Sequence, residues 1–282
     1  MSLLENDLFP PNFDYKLYMQ THDFNNLFDL ETNTLIATNK ISTNPTASVD
    51  PSNRIPIPPD LEDLARLHHL VSSRKVISVL EFGVGKSTLA FASSLYHNKK
   101  RDLQFVSQHL RRKNLYQVHS VDNYKHYISL VSRNLPDLYV REGICHFHHS
   151  NVVMSTFSDR FCTFYDNIPP ICPDLIYLDG PDQFSPKGHV RGFATSHQDR
   201  MPMAADILCF EHFLQPSTLI VIDGRSANAR FLQTNLQRNW QYYYNPYCDQ
   251  HFFELQEQPL GLHNQNMIDF CLGQAYYDRI SR

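Results

Sequence analysis

The sequence lacks several features that would place it at once in a particular class of protein. Its six cysteines include no C-x-x-C pair, which indicates reduced thiols. No apolar run approaches the length needed to cross a bilayer. The opening residues, MSLLENDLFPPNF, do not show the basic and then apolar order of a secretory leader. We therefore expect a cytoplasmic protein that has no membrane partner.

Repeats, low-complexity tracts and an excess of positive charge are also missing. The 282 residues carry a net charge of −4, which argues against a general polyanion binder and so against nucleic acid as a partner. The length suits one large α/β domain with extensions, and a hydrophobic content of 42% is sufficient for a packed core. The oligomeric state stays open at this stage.

A complete phosphate-binding P-loop is another missing feature, although GKST at residues 85–88 matches the end of that motif. The motif needs a glycine five residues before its Gly-Lys pair, and that position is Leu80, inside an apolar run that predicts a buried strand. Only Phe82–Val84 remain to form a loop, which is too short to wrap a triphosphate. ATP is therefore not the expected ligand.

The same stretch does contain a strand that ends in an acid, a turn with Gly83 and Gly85, and a helix that begins near Lys86. The glycines allow a ligand to approach the backbone, and the helix N-terminus offers free N–H groups to an anion such as a carboxylate. Such a turn is common in nucleotide and nucleoside sites, and it also occurs as a plain strand-to-helix connection.

Apolar strands alternate with helices along residues 59–282, which predicts one domain preceded by an extension over residues 1–58. Asp60 is the predicted N-cap of a helix before the first strand. A basic stretch near residues 99–115 is interpreted as a solvated insertion. The other candidate strands are YQVHSVD, GICHFHH, DLIYLDG and STLIVIDG, and two aromatic runs around NPYCD predict a terminal hairpin. The expected fold is a Rossmann-like, mainly parallel α/β sheet with helices on both faces and a terminal antiparallel hairpin.

Three acids, Asp122, Asp179 and Asp223, stand where predicted strands end. In doubly wound sheets ligands bind outside the carboxyl ends of the strands, so these side chains should converge with the glycine turn on one crevice. Asp122 ends the strand that follows the glycine turn, where an acid typically accepts hydrogen bonds from ribose hydroxyls.

In the order of these motifs, over roughly residues 60–258, the sequence resembles the class I S-adenosylmethionine-dependent methyltransferases. LEFGVGKST matches the cofactor loop, HSVDN the ribose-binding strand end, and LIYLDG and LIVIDG the fourth and fifth strands. The resemblance implies methyl transfer from S-adenosylmethionine to an oxygen, or less often a nitrogen, of a small-molecule polar acceptor. It assigns Glu81, Gly83 and Gly85 to the methionine part of the cofactor, Asp122 to the ribose, and Ser150 and Asn151 to the adenine edge. Ser87 and Asn123 are also expected to contact the cofactor.

Asp179 and Asp223 are also similar to two metal-binding positions of catechol-type O-methyltransferases. By that resemblance Asp179 lies beside the transferred methyl group as a base or as a metal ligand. Magnesium would there lower the pKa of a substrate hydroxyl. Those enzymes follow the second acid with Asn, where this chain has Gly224. One oxygen ligand is therefore missing, and a plain base and a magnesium site are both kept as interpretations.

Other polar residues carry weaker indications. His146 and His148 share one face of a predicted strand without a third ligand at a familiar spacing, so ordinary strand histidines are favoured over a metal site. His197 and Arg200 lie in a predicted loop between the fourth and fifth strands, and Arg225 follows Asp223. These three could contact the substrate, or they could serve as solvated loop and helix-capping residues.

Two other functions are compatible with the sequence. A methyltransferase-like fold can bind a nucleoside or a protein partner without catalysis, because fold alone does not fix function. A nucleotide-sugar-dependent glycosyltransferase would use the Asp179 and Asp182 carboxylates of LDGPD for a metal. That second alternative leaves the glycine turn unexplained.

Overall fold

The computed structural model describes residues 3–10, 13–28 and 60–281. The rest of the predicted extension, including its proline-rich end up to residue 59, lies outside the described residues. Within the described part of the chain, no helix is both long and apolar enough to cross a membrane.

Nine strands are present in the described chain. In chain order they are β1 (Ser78–Phe82), β2 (Gln117–Asp122), β3 (Cys145–His149), β4 (Val152–Phe157), β5 (Arg160–Tyr165), β6 (Leu175–Leu178), β7 (Leu219–Asp223), β8 (Trp240–Asn245) and β9 (Gln250–Leu255). Seven of them form one sheet in the spatial order β3-β2-β1-β6-β7-β9-β8. All neighbours pair in parallel except those of β9, which runs antiparallel to β7 and β8. The predicted Rossmann-like sheet and terminal hairpin are confirmed, and the strand order reverses between β1 and β6, as in doubly wound sheets.

The central strands are apolar because both faces of the sheet are covered. Every residue of β1 and β6 is buried, as expected for parallel strands between two helical layers. Since successive side chains point to opposite faces, Val79 packs with Phe91 in one core, whereas Leu80 packs with Ile176 in the other.

Eleven α-helices surround the sheet in the described residues, and a short 3-10 helix, Glu211–Phe213, follows the eighth of them. They are α1 (Leu3–Leu8), α2 (Tyr15–Thr21), α3 (Phe24–Leu27), α4 (Leu61–Ser73), α5 (Lys86–His109), α6 (Lys125–Arg133), α7 (Asp137–Arg141), α8 (Asp206–Phe210), α9 (Ser226–Asn235), α10 (Gly261–Cys271) and α11 (Gln274–Ile280). The Asp60 carboxylate accepts hydrogen bonds from the backbone N–H groups of Glu62 and Asp63. The predicted N-cap is therefore confirmed.

The basic stretch that the sequence suggested as an insertion belongs for the most part to α5. This helix continues without a break to His109, because Val106 on its inner face is completely buried in the core. Lys99 on its outer side forms an ion pair with Glu142 at 2.9 Å. Residues 99–109 are therefore the second half of a long helix rather than a separate segment.

The hairpin β4–β5 was not predicted. Its turn residues Ser158 and Asp159 both have positive φ, at 47° and 62°, as in the two-residue turns that match the twist of antiparallel strands. The second strand is joined to the segment before α8, where the N–H of Thr163 donates to the carbonyl of Met203. This arrangement brings the end of β5 to the carboxyl edge of the main sheet.

The described parts of the N-terminal extension pack against the domain. Leu4 and Leu8 of α1 join the core on the α4 and α5 side of the sheet, while Phe24 of α3 is buried in a smaller cluster with Leu64. The hydroxyl of Tyr243 in β8 donates to Glu5 at 3.0 Å. The extension thus contributes to the core on that side.

Candidate active site

The glycine turn after β1 and the loop after β6 meet where the strand order reverses. Gly83 has φ of +99°, which favours glycine. A Cβ placed on Gly180 would lie 2.7 Å from both Cα and N of Gly83, so the two backbones are in direct contact. Ligands of open α/β sheets bind in the crevice at this switch point.

Glu81 lies beneath this crevice, where its carboxylate is fully buried. It accepts hydrogen bonds from the hydroxyls of Ser87 at 2.5 Å, Thr88 at 2.6 Å and Ser120 at 2.5 Å. Burial raises the pKa of Glu81 to about 7, and the three hydroxyl donors oppose that rise. Glu81 and Ser87 therefore fasten the start of α5 to β1 and β2, which places Glu81 behind the glycine turn.

Asp122 at the end of β2 supports the other side of the turn. Its carboxylate accepts hydrogen bonds from the N–H of Val84 at 2.9 Å and from the N–H of Tyr124 at 2.6 Å. Burial raises its pKa, and both backbone donors oppose this effect. The remaining lone pairs of a carboxylate in this position can accept hydrogen bonds from a ligand's hydroxyls.

The predicted adenine-side residues follow β3, next to Asp122. The N–H of Ser150 donates to the carbonyl of Asp122 at 3.0 Å, and the buried Ser150 hydroxyl accepts from the N–H of Asn167 at 2.8 Å. The carbonyl of Asn123 lies 3.2 Å from Nε2 of His149 in β3. Asn151, in contrast to Ser150, is exposed. Asn151 is thus the more accessible of the two adenine-side candidates.

Asp179, just after β6, is exposed at the carboxyl end of that strand. Partial desolvation and the nearby charge of Asp223 raise the pKa of Asp179 to about 7, while the Arg225 guanidinium opposes the rise. The carboxyl group is exposed, and its raised pKa suits a general base.

Arg225 is 6% exposed and donates to the carbonyl of Pro181. Its Nε is buried without a hydrogen-bond partner among the described residues, and so is the hydroxyl of Tyr165 at the end of β5. Burial lowers the pKa of Arg225, whereas the charge of Asp179 raises it. Buried polar atoms normally have partners, so two such atoms beside one crevice are consistent with a polar ligand there.

Tyr165 is a site residue that sequence reasoning missed. Its ring stacks on Phe82 of β1 with centroids 5.7 Å apart. Its environment includes the charges of Asp122, Asp182 and Arg225, although burial is the main reason why the pKa of Tyr165 is raised. The residue belongs to the unpredicted hairpin, so no sequence motif indicated it.

The donor set around Asp179 and Asp223 does not fit a magnesium site. The hydroxyl of Tyr177 donates to Asp223 at 2.7 Å, and Gly224 offers no side-chain oxygen. Among the described residues, no further His, Cys, Asp or Glu joins these two acids within ligand distance. Magnesium takes near-octahedral oxygen ligands, whereas the positive charge that stabilises ionised Asp179 here is that of Arg225.

The other predicted residues have local partners. His197 is exposed near Asp199 at 3.7 Å, and the Arg200 guanidinium lies over the Phe193 ring at 3.9 Å. Asp182 accepts hydrogen bonds from its own loop, among them the N–H of Phe184 at 2.7 Å. The structure therefore places His197 and Arg200 in a surface loop, and it does not pair Asp182 with Asp179.

His146 and His148 flank a third histidine. Their rings stack on His119 of β2 with centroids 4.7 and 5.2 Å apart, and Nδ1 of His119 lies 3.0 Å from Nε2 of His148. Burial, together with the neighbouring rings, lowers the pKa of His119 to about 4. These three imidazoles contact one another at the sheet edge.

Two cavities in the described part of the protein lie outside the crevice. One, of about 350 Å³, is lined by Phe105 and Phe270 between α5 and α10. The other, of about 150 Å³, is lined by Tyr15 and Arg66 between the N-terminal segment and α4. Nε of Arg66 donates to Gln250 at 3.1 Å, so the second cavity lies on the Asp223 side of the sheet.

No family model and no curated protein matches the chain. Among solved structures, it is similar to a Staphylococcus aureus protein assigned as a caffeoyl-CoA O-methyltransferase, at 13% identity and a TM-score of 0.43, over 86% of this chain and 98% of the other. An O-methyltransferase from Bacillus cereus in complex with S-adenosylhomocysteine (SAH) has 10% identity and a TM-score of 0.37, over 89% and 94%. An SAH-bound methyltransferase from Podospora anserina has 12% identity and a TM-score of 0.39, over 71% and 80%.

These likenesses are too distant to assign an activity. The protein's own topology is specific enough to identify its fold, because the reversed strand β9 lies between β7 and β8 and the glycine turn sits at the switch point. The chain therefore has a Rossmann-like, mainly parallel α/β fold that ends in an antiparallel hairpin.

Proposed function

We propose that this protein transfers a methyl group from S-adenosylmethionine to an oxygen, or less often a nitrogen, of a small polar acceptor. The observation that carries the proposal is the meeting of three elements at the switch point of the sheet. These are the glycine turn after β1, the acid that ends β2 and the accessible acid that follows β6. Ligand sites of open α/β sheets lie at this place.

The residues present suit the cofactor. The turn at Gly83 lets a ligand reach the backbone, Asp122 can accept hydrogen bonds from two ribose hydroxyls, and the Tyr165 hydroxyl lies nearby without a protein partner. Glu81, in contrast, is inaccessible and would act only by holding the turn. When bound, S-adenosylmethionine supplies a methyl group that its sulfonium already makes reactive. The chain's own task is therefore to position the acceptor and take up its proton.

Asp179 is the residue proposed to take that proton. Its pKa of about 7 is close to the pH at which a general base is most effective. Arg225 opposes the rise in that pKa and so keeps part of the carboxyl group ionised. Since the ionised form is the active one, kcat/KM should rise with pH through about 7 and then become constant.

The acceptor is expected to enter from the Asp223 side. The cavity at Arg66 and Tyr15 lies on that side, between α4 and the N-terminal segment, and Tyr177 fixes the carboxylate of Asp223. The cavity wall is mainly apolar, with Phe9 and Phe13, and the Tyr15 hydroxyl and the Arg66 guanidinium add polar groups. This lining suits an acceptor with an apolar or aromatic body and a polar substituent. Arg225 contributes a buried cation next to the proposed base.

Calorimetric titration with SAH, ATP and a nucleotide-sugar separates the candidate functions, because each function requires a different ligand. We expect SAH alone to bind. Asp122→Asn removes the charge and keeps an acceptor for only one of the two N–H groups, of Val84 and Tyr124, that the carboxylate binds. SAH affinity should therefore fall about tenfold or more, together with a modest loss of melting temperature. Tight binding of ATP or the nucleotide-sugar without SAH binding would refute the proposal.

Catalysis is tested by following SAH release from S-adenosylmethionine with a panel of phenols, catechols and small amines. Asp179→Asn should lower turnover on the order of 10² or more, because a positioned acid–base group is lost. Asp159→Asn is the matched control, since Asp159 is exposed in the hairpin turn. If SAH binds but no acceptor is methylated, the non-catalytic alternative is favoured. If Asp179→Asn and Asp159→Asn have equal turnover, Asp179 is not the base.

A further inference from the structure

A cluster of three histidines lies outside the crevice, on the α4 and α5 side of the molecule. His22 caps the C-terminus of α2, His68 is in the middle of α4, and His97 is in α5. One ring nitrogen from each lies within 4.8 Å of those of the other two, and no other such group of His, Cys, Asp or Glu occurs in residues 3–10, 13–28 and 60–281.

The cluster has one buried and one solvent-facing side. His68 is fully buried, His22 is half-buried and His97 is exposed. The ring centroid of His22 lies 4.7 Å from that of His68, and His97 is 6.2 Å from each. An ion could therefore enter from the side of His97 without rearrangement of the core.

His68 is held in place by a hydroxyl on each of its ring nitrogens. Nδ1 lies 2.7 Å from the Tyr18 hydroxyl, and Nε2 lies 3.3 Å from the Ser93 hydroxyl. Whichever nitrogen binds an ion, the other retains a hydrogen-bond partner. Such partners orient metal-binding histidines and fix their tautomer.

Burial lowers the pKa of His68, His22 and His97, and mutual repulsion adds to this effect for the first two. Neutral imidazoles leave their lone pairs available at neutral pH, as metal binding requires. Protonated imidazoles at this separation would repel one another, whereas neutral ones can share a cation.

We propose that His22, His68 and His97 bind one divalent transition-metal ion of the zinc class, and that this ion fastens α2 to α4 and α5. Imidazole suits such ions, and tetrahedral Zn–N bonds of 2.0–2.1 Å place ligand nitrogens roughly 3.4 Å apart. The cluster would therefore close by side-chain movements of about an ångström. Three protein ligands leave a fourth position, which a water on the His97 side can fill.

The test uses the full chain, freed of metal by a chelator and then titrated with Zn²⁺ against a chromophoric competitor. We expect one tight site per chain. His22→Ala and His97→Ala remove accessible ligands, so the protein should stay folded while zinc affinity falls about 100-fold or more, as expected for loss of one of three ligands. Zinc at 100-fold excess over its dissociation constant should raise the melting temperature by roughly 5 °C in the wild type only.

Two matched variants exclude binding at other histidines. His263→Ala changes an exposed residue of α10 away from the cluster, and His148→Ala disrupts the histidine group at the sheet edge; neither should alter the tight site. Hydrogen exchange of residues 13–28 should slow when zinc is added. The proposal is overturned if no stoichiometric site is found, if His148→Ala abolishes it, or if both cluster variants bind as the wild type does. SAH binding is unrelated to these outcomes.

Discussion

Glu81→Gln tests whether the buried carboxyl group beneath the glycine turn is structural. The pKa of Glu81 rises from its ordinary value of 4.5 to about 7, mainly because the group is completely buried. One pKa unit corresponds to 1.36 kcal/mol, so ionising this group in the folded protein costs about 3 kcal/mol more than in the unfolded chain. The contribution is fully present below pH 4.5 and is lost as the pH rises to about 7.

Glutamine preserves the shape of the side chain but cannot ionise. One of the three hydroxyls around it must turn to accept from the amide, which adds an offset that does not depend on pH. The free energy of unfolding of Glu81→Gln, minus that of the wild type, should therefore increase by about 3 kcal/mol between pH 4.5 and pH 8. Other groups with shifted pKa values, such as Asp206, are common to both proteins and cancel.

Urea unfolding of both proteins at pH 5, 6, 7 and 8, with equal m-values, measures this difference. A difference that stays constant within about 0.5 kcal/mol would show that the hydroxyls of Ser87, Thr88 and Ser120 keep Glu81 ionised throughout, and the reasoning would be wrong. SAH affinity gives an independent result. If Glu81 only holds the turn, affinity should change by less than about threefold, whereas a tenfold loss would indicate the direct contact that the family resemblance implied.

Three further predictions concern stability and are measured by chemical denaturation. Gly180→Ala should destabilise the protein by about 1–3 kcal/mol and weaken SAH binding, because the added Cβ would meet the backbone of Gly83. Unchanged stability would contradict this packing. Arg279→Ala should lower the free energy of unfolding by about 3 kcal/mol, because Arg279 and Arg74 together neutralise the fully buried Glu254. A decrease of less than about 1 kcal/mol would contradict this role. Asp60→Ala should cost about 1 kcal/mol and Asp60→Asn much less, so equal losses would argue against the N-cap.

The sheet could be predicted because its strands produce clear patterns in the local sequence. Buried parallel strands are continuous apolar runs, and the acids that follow them, Asp122, Asp179 and Asp223, stand at the boundary between core and solvent. The length of α5 was harder to predict, since its second half has a polar outer face, and the single inward residue Val106 does not produce a clear periodicity.

The rest depends on contacts between distant segments. Tyr165 reaches the crevice only because the half-exposed hairpin β4–β5 folds back over the carboxyl edge of the sheet. The cluster of His22, His68 and His97 is built from three helices, and nothing in the spacing of these residues indicates that they meet. In contrast, the more conspicuous pair His146 and His148 lies on one strand and stacks on a neighbour.

Accessibility, rather than pKa, separates the two carboxyl groups that lie closest to the switch point. Burial raises the pKa of both Glu81 and Asp179 to about 7. A proton on Glu81 is enclosed by three hydroxyls and cannot be exchanged with a ligand, whereas the carboxyl group of Asp179 opens onto the crevice. The same electrostatic environment therefore yields a structural acid below the glycine turn and a candidate base above it. Only the second should govern the pH dependence of turnover, and Asp179→Asn should remove that dependence while Glu81→Gln leaves it in place.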